Sequence, residues 1–289
     1  MVLQQLAPSA RGPSAATAAA TAAAATARTE FLMVRHGETV WNVERRAQGS
    51  CDSPLTENGI AQAQLLALRL RQCSGAIAAC YTSPLGRAQH TARLLVADAD
   101  ATVPITVEPG LTERCFGIFE GLTGEERRVK YPEVVTAEAA GGEDYAPPGG
   151  ESDVQVQQRV MRALVAIASR HPGERVLVVT HGAVLANVGN AALGMPHTSK
   201  GGGALALKNT AINLLRWQDG RWELVLWGDA GEFADAPDVH VAAAAMRLIG
   251  VGIGLGLAAS LCVGVLAARR ASSRAFEMGW RRACLALSS

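Results

Sequence analysis

Histidine and arginine side chains stand directly after short apolar runs at two places in this chain. Arg35 and His36 follow the apolar run 31–34, and His181 comes just after the apolar run 176–179. A neutral imidazole is a good nucleophile, and an arginine guanidinium binds phosphoryl oxygens through paired hydrogen bonds. Phosphoryl transfer needs mainly alignment and positive charge around the equatorial oxygens, and it is one kind of chemistry that this combination of side chains could serve.

Two further side chains of suitable chemistry follow other strand-like segments. Arg87 lies where a helix is predicted to begin, shortly after the run 78–82, and Glu113 follows the run 104–107. In an open, mostly parallel sheet the carboxyl ends of the strands share one edge, and ligands bind there. We therefore expect all of these side chains to meet at one edge of a sheet.

The helices that must cover this sheet also leave clear signals. Thr56 is predicted to cap a helix that runs to about residue 70, and Ser152 with Gln155 has the spacing of a capping box. Apolar residues follow Ser152 at the spacing of one helical face: Val156, Val160, Leu164 and Ile167. These signals place helices between the predicted strands.

The end of the folded region has a different pattern. Two runs with period-two alternation, 211–217 and 222–227, flank a turn at 218–220 and predict a closing hairpin. Strands that alternate with helices indicate a mainly parallel sheet that is covered on both faces. The expected fold is a three-layer α/β/α domain with a mostly parallel sheet, followed by one C-terminal transmembrane helix.

The motifs closely resemble those of the histidine phosphatase superfamily, also called the phosphoglycerate mutase-like family. The segment 34–37, with its continuation to residue 56, resembles the family's nucleophile motif, and 83–92 resembles its second-arginine motif. The segment 113–121 resembles the proton-donor segment, and 179–182 resembles the second-histidine motif. The resemblance runs from about residue 30 to about residue 228. It implies transfer through a phosphorylated histidine.

The resemblance also implies a role for each residue of the predicted site. His36 would be the nucleophile, and Arg35, Arg87 and His181 would hold the phosphoryl group. Glu113 would protonate the leaving oxygen and later activate water. Because positive charge disfavours a charged imidazole, we expect the two arginines to lower the pKa of His36. The remaining substrate contacts implied by the motifs are Asn42, Gln48, Gly49 and Gly182.

The family contains hydrolases and mutases, which share the reactive histidine. The segments 120–123, 131–133 and 147–152 resemble the compact phosphatases more than the glycolytic mutases. We therefore expect a metal-independent phosphomonoester hydrolase that acts on a phosphorylated small molecule or a phosphoprotein. A cofactor-dependent phosphoglycerate mutase is the alternative. A membrane-tethered phosphoprotein phosphatase and an inactive binding module are further alternatives.

Composition argues against other classes of partner. The six cysteines form no Cys-x-x-Cys pair and have no histidine at metal-ligand spacing, so we expect neither a metal nor a cofactor. Their scattered positions also favour a reducing compartment. Residues 29–246 hold 19 basic and 25 acidic residues, a net charge of −6. A negative domain of this kind disfavours nucleic acid as a partner.

Composition divides the chain into four parts. Residues 1–28 form an Ala/Thr-rich segment that we expect to be disordered, and 29–240 form the phosphatase domain. Residues 248–268 carry no charge, and a helix of this length spans about 31 Å, enough to cross a bilayer. The tail 269–289 carries five arginines and one glutamate. Two small-residue spacings in the predicted span would permit dimerisation: Gly250 with Gly254, and Gly252 with Gly256.

The late position of the predicted span suggests where the protein resides. A span near the C-terminus suits tail anchoring, with the catalytic domain in the cytosol. The arginines of 269–289 favour the opposite orientation under the positive-inside rule, but no export signal is evident. We expect a tail-anchored protein, with the mitochondrial outer membrane as the first choice and another organelle membrane as the alternative.

Overall fold

Six strands and seven α-helices form the part of the chain that the computed structural model describes, which comprises residues 27–73, 76–97, 103–142, 144–195 and 207–230. The strands are β1 (Thr29–Arg35), β2 (Ala79–Thr82), β3 (Ile105–Val107), β4 (Arg175–Thr180), β5 (Ile212–Gln218) and β6 (Arg221–Asp229). The helices are α1 (Val40–Val43), α2 (Glu57–Cys73), α3 (Gly86–Ala97), α4 (Gly124–Lys130), α5 (Pro132–Ala140), α6 (Asp153–Ala168) and α7 (Gly182–Ala192).

The strands form one sheet in the order β3-β2-β4-β1-β5-β6. The first four strands in this order are parallel, and β5 and β6 form an antiparallel hairpin against β1. The prediction of a mostly parallel sheet with a closing hairpin is confirmed. In the β1–β4 register, Arg35 pairs with Thr180. The next residues, His36 and His181, therefore leave adjacent strands side by side.

Alternate residues of β1 enter two separate cores, one on each face of the sheet. Phe31 and Met33 pack in one core with apolar residues of α6 and α7. Leu32 and Val34 pack in the other core with apolar residues of α2 and α3. The expected three-layer arrangement, with helices on both faces, is present in the described part of the chain.

The strand β5 departs from the alternation that its sequence suggested. Its residues Ile212, Asn213, Leu214 and Leu215 are all buried. The reason is position, since β5 lies between β1 and β6 and its two faces contribute to the two different cores. The alternation located the hairpin correctly, and both faces of β5 are covered.

The predicted helix starts are confirmed. The amide of Gly59 donates to the Thr56 hydroxyl at 2.9 Å at the start of α2. Ser152 and Gln155 form a reciprocal capping box at the start of α6. Among the described residues, no helix is long and apolar enough to cross a bilayer. The predicted span 248–268 lies outside the residues that the structure describes, as do the tail and residues 1–26.

Candidate active site

His36 follows β1 directly and its imidazole is buried. Its backbone amide donates to the carbonyl of Thr180 at 3.0 Å, and its Nδ1 lies 2.8 Å from the carbonyl oxygen of Gly37. Because a carbonyl oxygen can only accept, Nδ1 carries the proton in the neutral ring and Nε2 keeps a lone pair. The side chain is therefore held in the tautomer that a nucleophile at Nε2 requires.

The surroundings of His36 keep its ring neutral. Burial lowers the pKa of His36 well below its usual value, and the charges of Arg35 and Arg87 lower it further. The expected direction of the pKa shift is confirmed. The sequence argument named the arginines, whereas burial is the larger cause.

His181 lies beside His36, with their ring centroids 5.2 Å apart. Its Nε2 lies 2.7 Å from the hydroxyl of Ser83, and that hydroxyl also accepts from the amide of Leu85 at 3.3 Å. The same hydroxyl can donate to Nε2, an arrangement in which the ring proton of His181 lies on Nδ1. Nδ1 is buried and has no hydrogen-bond partner among the described residues, so it can donate to an anion.

The pKa of His181 is also lowered well below its usual value. Burial is the main cause, followed by the positive charge of Arg87 and the neighbouring His36 ring. Both imidazoles are therefore neutral near pH 7, and the fixed positive charge of this site comes from arginine.

Arg87 is held in place by several hydrogen bonds to the segment 49–52. Its side chain is fully buried, and its two terminal nitrogens donate to the carbonyls of Gly49 at 2.9 Å and Cys51 at 2.7 Å. Asp52 accepts from both the backbone amide and the Nη1 of Arg87, each at 3.2 Å. Its Nε is buried without a partner in the described ranges and can donate to a bound anion.

Arg35 and Glu113 approach the same glycine at the start of α7. Arg35 donates through Nη1 to the carbonyl of Leu207 at 2.7 Å, and its Nε is buried without a described partner. A Cβ built on Gly182 would lie 3.6 Å from the Nε of Arg35 and 3.9 Å from a carboxylate oxygen of Glu113. These are ordinary contact distances, and they show that the guanidinium of Arg35 and the carboxylate of Glu113 both lie beside the first residue of α7.

Glu113 occupies the predicted site, although it does not follow a strand directly. A 3-10 turn, Pro109–Leu111, separates it from β3, and the hydroxyl of Thr180 ties that turn to β4 by donating to the carbonyl of Leu111 at 2.8 Å. The carboxylate of Glu113 accepts from the amides of Arg114 at 2.9 Å and Ala183 at 3.3 Å. It therefore lies at the N-terminal end of α7, next to His181.

The other predicted contacts lie around α1. The side-chain oxygen of Asn42 accepts from the backbone amide of Thr39 at 3.1 Å. It also lies 3.4 Å from the side-chain nitrogen Nδ2 of Asn209. That nitrogen donates to the backbone carbonyl of His36 at 2.8 Å. Gln48 donates to the hydroxyl of Thr39 at 2.8 Å, and its buried oxygen has no described partner. These residues connect α1 to the backbone of His36.

Three residues contribute to this site that the sequence interpretation did not assign. Ser83 contacts His181, Asn209 contacts the backbone of His36, and Arg159 contacts the backbone of Glu113. Arg159 could have been found, because it shares a helical face with the buried Val156 and a charge on a core-facing position needs a partner. Asn209 gave no such signal.

The described residues thus bring a neutral imidazole with a free Nε2, several buried N–H donors and one carboxylate into a single site. Preorganised donors of this kind stabilise the charge on the phosphoryl oxygens in the transition state of phosphoryl transfer. A carboxylate beside them can donate a proton to the leaving oxygen or accept one from the attacking group. Within the ranges that the structure describes, no group of three or more His, Cys, Asp or Glu side chains is arranged to hold a metal ion.

Comparisons with known proteins find relatives over most of the described residues. The family model described as histidine phosphatase superfamily (branch 1) matches residues 31–230. An Arabidopsis thaliana protein named metal-independent phosphoserine phosphatase is 38% identical over 207 residues, which cover 71% of this chain and 84% of that protein. Phosphoglycerate mutase-like protein 4 of the same plant is 36% identical over 208 residues, 71% of this chain and 87% of that one. The solved structure of Bacillus stearothermophilus YhfR is 37% identical with a TM-score of 0.64, covering 70% of this chain and 97% of that one.

Proposed function

Because this chain belongs to the histidine phosphatase superfamily and is an enzyme with phosphatase activity, we propose that it hydrolyses phosphomonoesters through a phosphohistidine on His36. The observation that carries this proposal is the hydrogen bond from Nδ1 of His36 to the carbonyl of Gly37. It leaves Nε2 as the free nucleophile, in a ring that burial keeps neutral.

In the first step, the Nε2 lone pair of His36 attacks phosphorus and the bond from phosphorus to the ester oxygen breaks. Glu113 in its protonated form gives its proton to the leaving oxygen, which departs as an alcohol. Arg35, Arg87 and His181 hold the phosphoryl oxygens through their unpartnered N–H groups. The products are the alcohol, phosphorylated His36 and a Glu113 carboxylate.

In the second step, water takes the place of the alcohol. The carboxylate of Glu113 accepts a proton from this water, and the oxygen attacks phosphorus as the bond between phosphorus and Nε2 of His36 breaks. Phosphate leaves, and both side chains return to their starting states. Arginine supplies the positive charge in this mechanism, and no step requires a metal ion.

A phosphoglycerate mutase activity is the second candidate, and a specific observation favours it. One relative, 36% identical to this chain, is named a phosphoglycerate mutase-like protein. A mutase would keep phosphorylated His36 away from water and return the phosphoryl group to the bound alcohol. The phosphatase comes first because another relative, 38% identical, is named a phosphoserine phosphatase.

The test is phosphate release by the purified protein from a panel that contains O-phosphoserine, a phosphoserine peptide, both monophosphoglycerates and sugar phosphates. Isomerisation of the phosphoglycerates is followed in parallel, with and without chelator. We expect chelator-resistant phosphate release, and we expect His36→Ala to lower it by at least about a thousandfold because the nucleophile is gone. His171→Asn is the matched control, since His171 bonds to Tyr81 and Glu174 instead of to the site.

Three results would change the proposal. Isomerisation without phosphate release would make the protein a mutase. Release that survives in His36→Ala would rule out a phosphohistidine on that residue. Failure of the folded protein to act on any ester would favour the inactive binding module.

A further inference from the structure

The guanidinium of Arg159 on α6 holds the backbone around Glu113. Its Nη1 donates to the carbonyls of Gly110 at 3.0 Å and Thr112 at 2.6 Å, and its Nη2 donates to the carbonyl of Glu113 at 3.1 Å. Nε and Nη2 also donate to the two carboxylate oxygens of Glu151, at 2.8 and 2.9 Å. The five N–H donors of the guanidinium therefore each have an acceptor.

Glu151 fixes the other side of the same loop. One of its carboxylate oxygens accepts from the amide of Cys115 at 3.0 Å, and its own amide donates to the carbonyl of Cys115 at 2.8 Å. Burial alone would raise the pKa of Glu151, but the hydrogen bonds from Arg159 and Cys115 lower it overall. The carboxylate of Glu151 is thus ionised near neutral pH. Its ion pair with Arg159 spans the loop from residue 110 to residue 115.

The carboxylate of Glu113 has little side-chain support of its own. Its described hydrogen bonds come from backbone amides, those of Arg114 and Ala183. The position of the carboxylate is consequently set by the position of its backbone, which Arg159 and Glu151 fix on either side. Proton transfer needs its two heavy atoms within about 2.6–3.2 Å, so a small displacement of this backbone would slow the transfer.

We propose that Arg159 and Glu151 form a positioning pair for Glu113, and that they act on proton transfer to the leaving group without touching the substrate. This inference rests on the proposed function. It predicts that substitutions in the pair lower kcat/KM most for esters whose leaving oxygen must be protonated. A merely structural role would slow all esters alike.

The test measures kcat/KM, which reports the first chemical step, for p-nitrophenyl phosphate and for an alkyl phosphate. The nitrophenolate is a weak base and leaves without being protonated. The leaving oxygen of the alkyl ester must receive a proton to depart. The variants of the full chain are Arg159→Lys, which cannot reproduce the planar fork, and Glu151→Gln, which removes the charge and keeps the shape. We expect each to lower kcat/KM for the alkyl ester by about ten- to a hundredfold, and for the nitrophenyl ester by less than about threefold.

Two further measurements connect the effect to Glu113. In the Glu113→Gln background, Arg159→Lys should cause almost no additional loss on the alkyl ester, because residues that act as a unit are not additive. Arg175→Lys is the matched control, since Arg175 pairs with the buried Glu30 at the opposite end of the sheet. This substitution should change kcat/KM for the two esters by the same factor.

Equal losses on the two esters in both variants, or full additivity with Glu113→Gln, would overturn the positioning role while leaving the proposed function intact. If the wild-type chain turns over neither ester, the proposed function fails and the positioning role fails with it. A variant that does not fold is replaced by the other, because Arg159→Lys and Glu151→Gln damage the same pair from opposite sides.

Discussion

At the scale of single residues, the site depends on two histidines that the fold keeps uncharged. The pKa of His36 and of His181 lies well below the usual 6.5, chiefly because both rings are buried and secondly because arginine lies close. Such shifts suit a nucleophile and a neutral donor. They also have a cost in stability, which sets the first prediction.

We predict that the free energy of unfolding falls as the pH drops below about 6.5, the usual histidine pKa. Above that pH both rings are neutral in the folded and the unfolded chain. Below it, the unfolded chain binds protons that folded His36 and His181 do not accept, so each histidine contributes a slope of up to about 1.4 kcal/mol per pH unit. Glu30 and Glu151 have lowered pKa values, because the raising effect of their burial is outweighed by hydrogen bonds, so their contribution to stability is lost mainly at more acidic pH.

Urea unfolding at pH 7.5, 6.5 and 5.5 measures this slope. His36→Asn should remove its share of the slope, so the slope of this variant should be smaller than that of the wild type. Equal slopes in wild type and His36→Asn would contradict the prediction.

At the scale of elements, the backbone of α2 lies directly against the backbone of the loop after His36, and the side chain of Gln62 also accepts from the amide of Glu38 at 3.0 Å. A Cβ on Gly59, in the first turn of α2, would lie 2.0 Å from the carbonyl oxygen of Glu38, and one on Gly37 would lie 2.5 Å from the carbonyl oxygen of Gly59. These distances are too short for any side chain, and rigid backbone surrounds them. Two glycines therefore determine how closely α2 approaches the loop that carries His36.

We predict that Gly59→Ala lowers the free energy of unfolding by about 1–3 kcal/mol, the usual range for overpacking, and lowers phosphatase activity as well. The methyl group must push α2 away from Glu38 and so disturb the loop beside His36. Chemical denaturation and a phosphate-release assay measure the two effects. Gly142→Ala is the control, because a Cβ at Gly142 meets no atom within 4 Å; a loss of similar size there would refute the explanation.

The elements also show which features could be predicted from sequence. His36 and His181 were found because each follows a buried parallel strand, and neighbouring strands bring their ends together whatever the loops do. Glu113 was harder to place, since a 3-10 turn lies between it and β3. The helical face that Arg159 shares with Val156 indicates that its charge needs a partner, but its backbone acceptors lie more than forty residues earlier and no local pattern identifies them.

At the scale of the whole molecule, charge and apolar residues are distributed unevenly along the chain. Residues 29–246 carry a net charge of −6, while 269–289 hold five arginines and one glutamate. Between them, 248–268 has no charged residue. An acidic catalytic domain would be repelled by the anionic cytosolic surface of a membrane. The distribution therefore suits a domain that is held near a membrane but does not lie flat on it.

We predict that residues 248–268 anchor the protein in a membrane and leave the catalytic domain on the cytosolic side. An uncharged stretch of this length covers the hydrocarbon thickness of about 30 Å when helical. In cells, the full chain should stay in the membrane pellet after alkaline carbonate extraction, and a chain that ends at residue 246 should be released. Protease added to intact organelles should digest the catalytic domain. Release of the full chain by carbonate would disprove the anchor, whereas retention with protection from protease would keep the anchor and reverse its orientation.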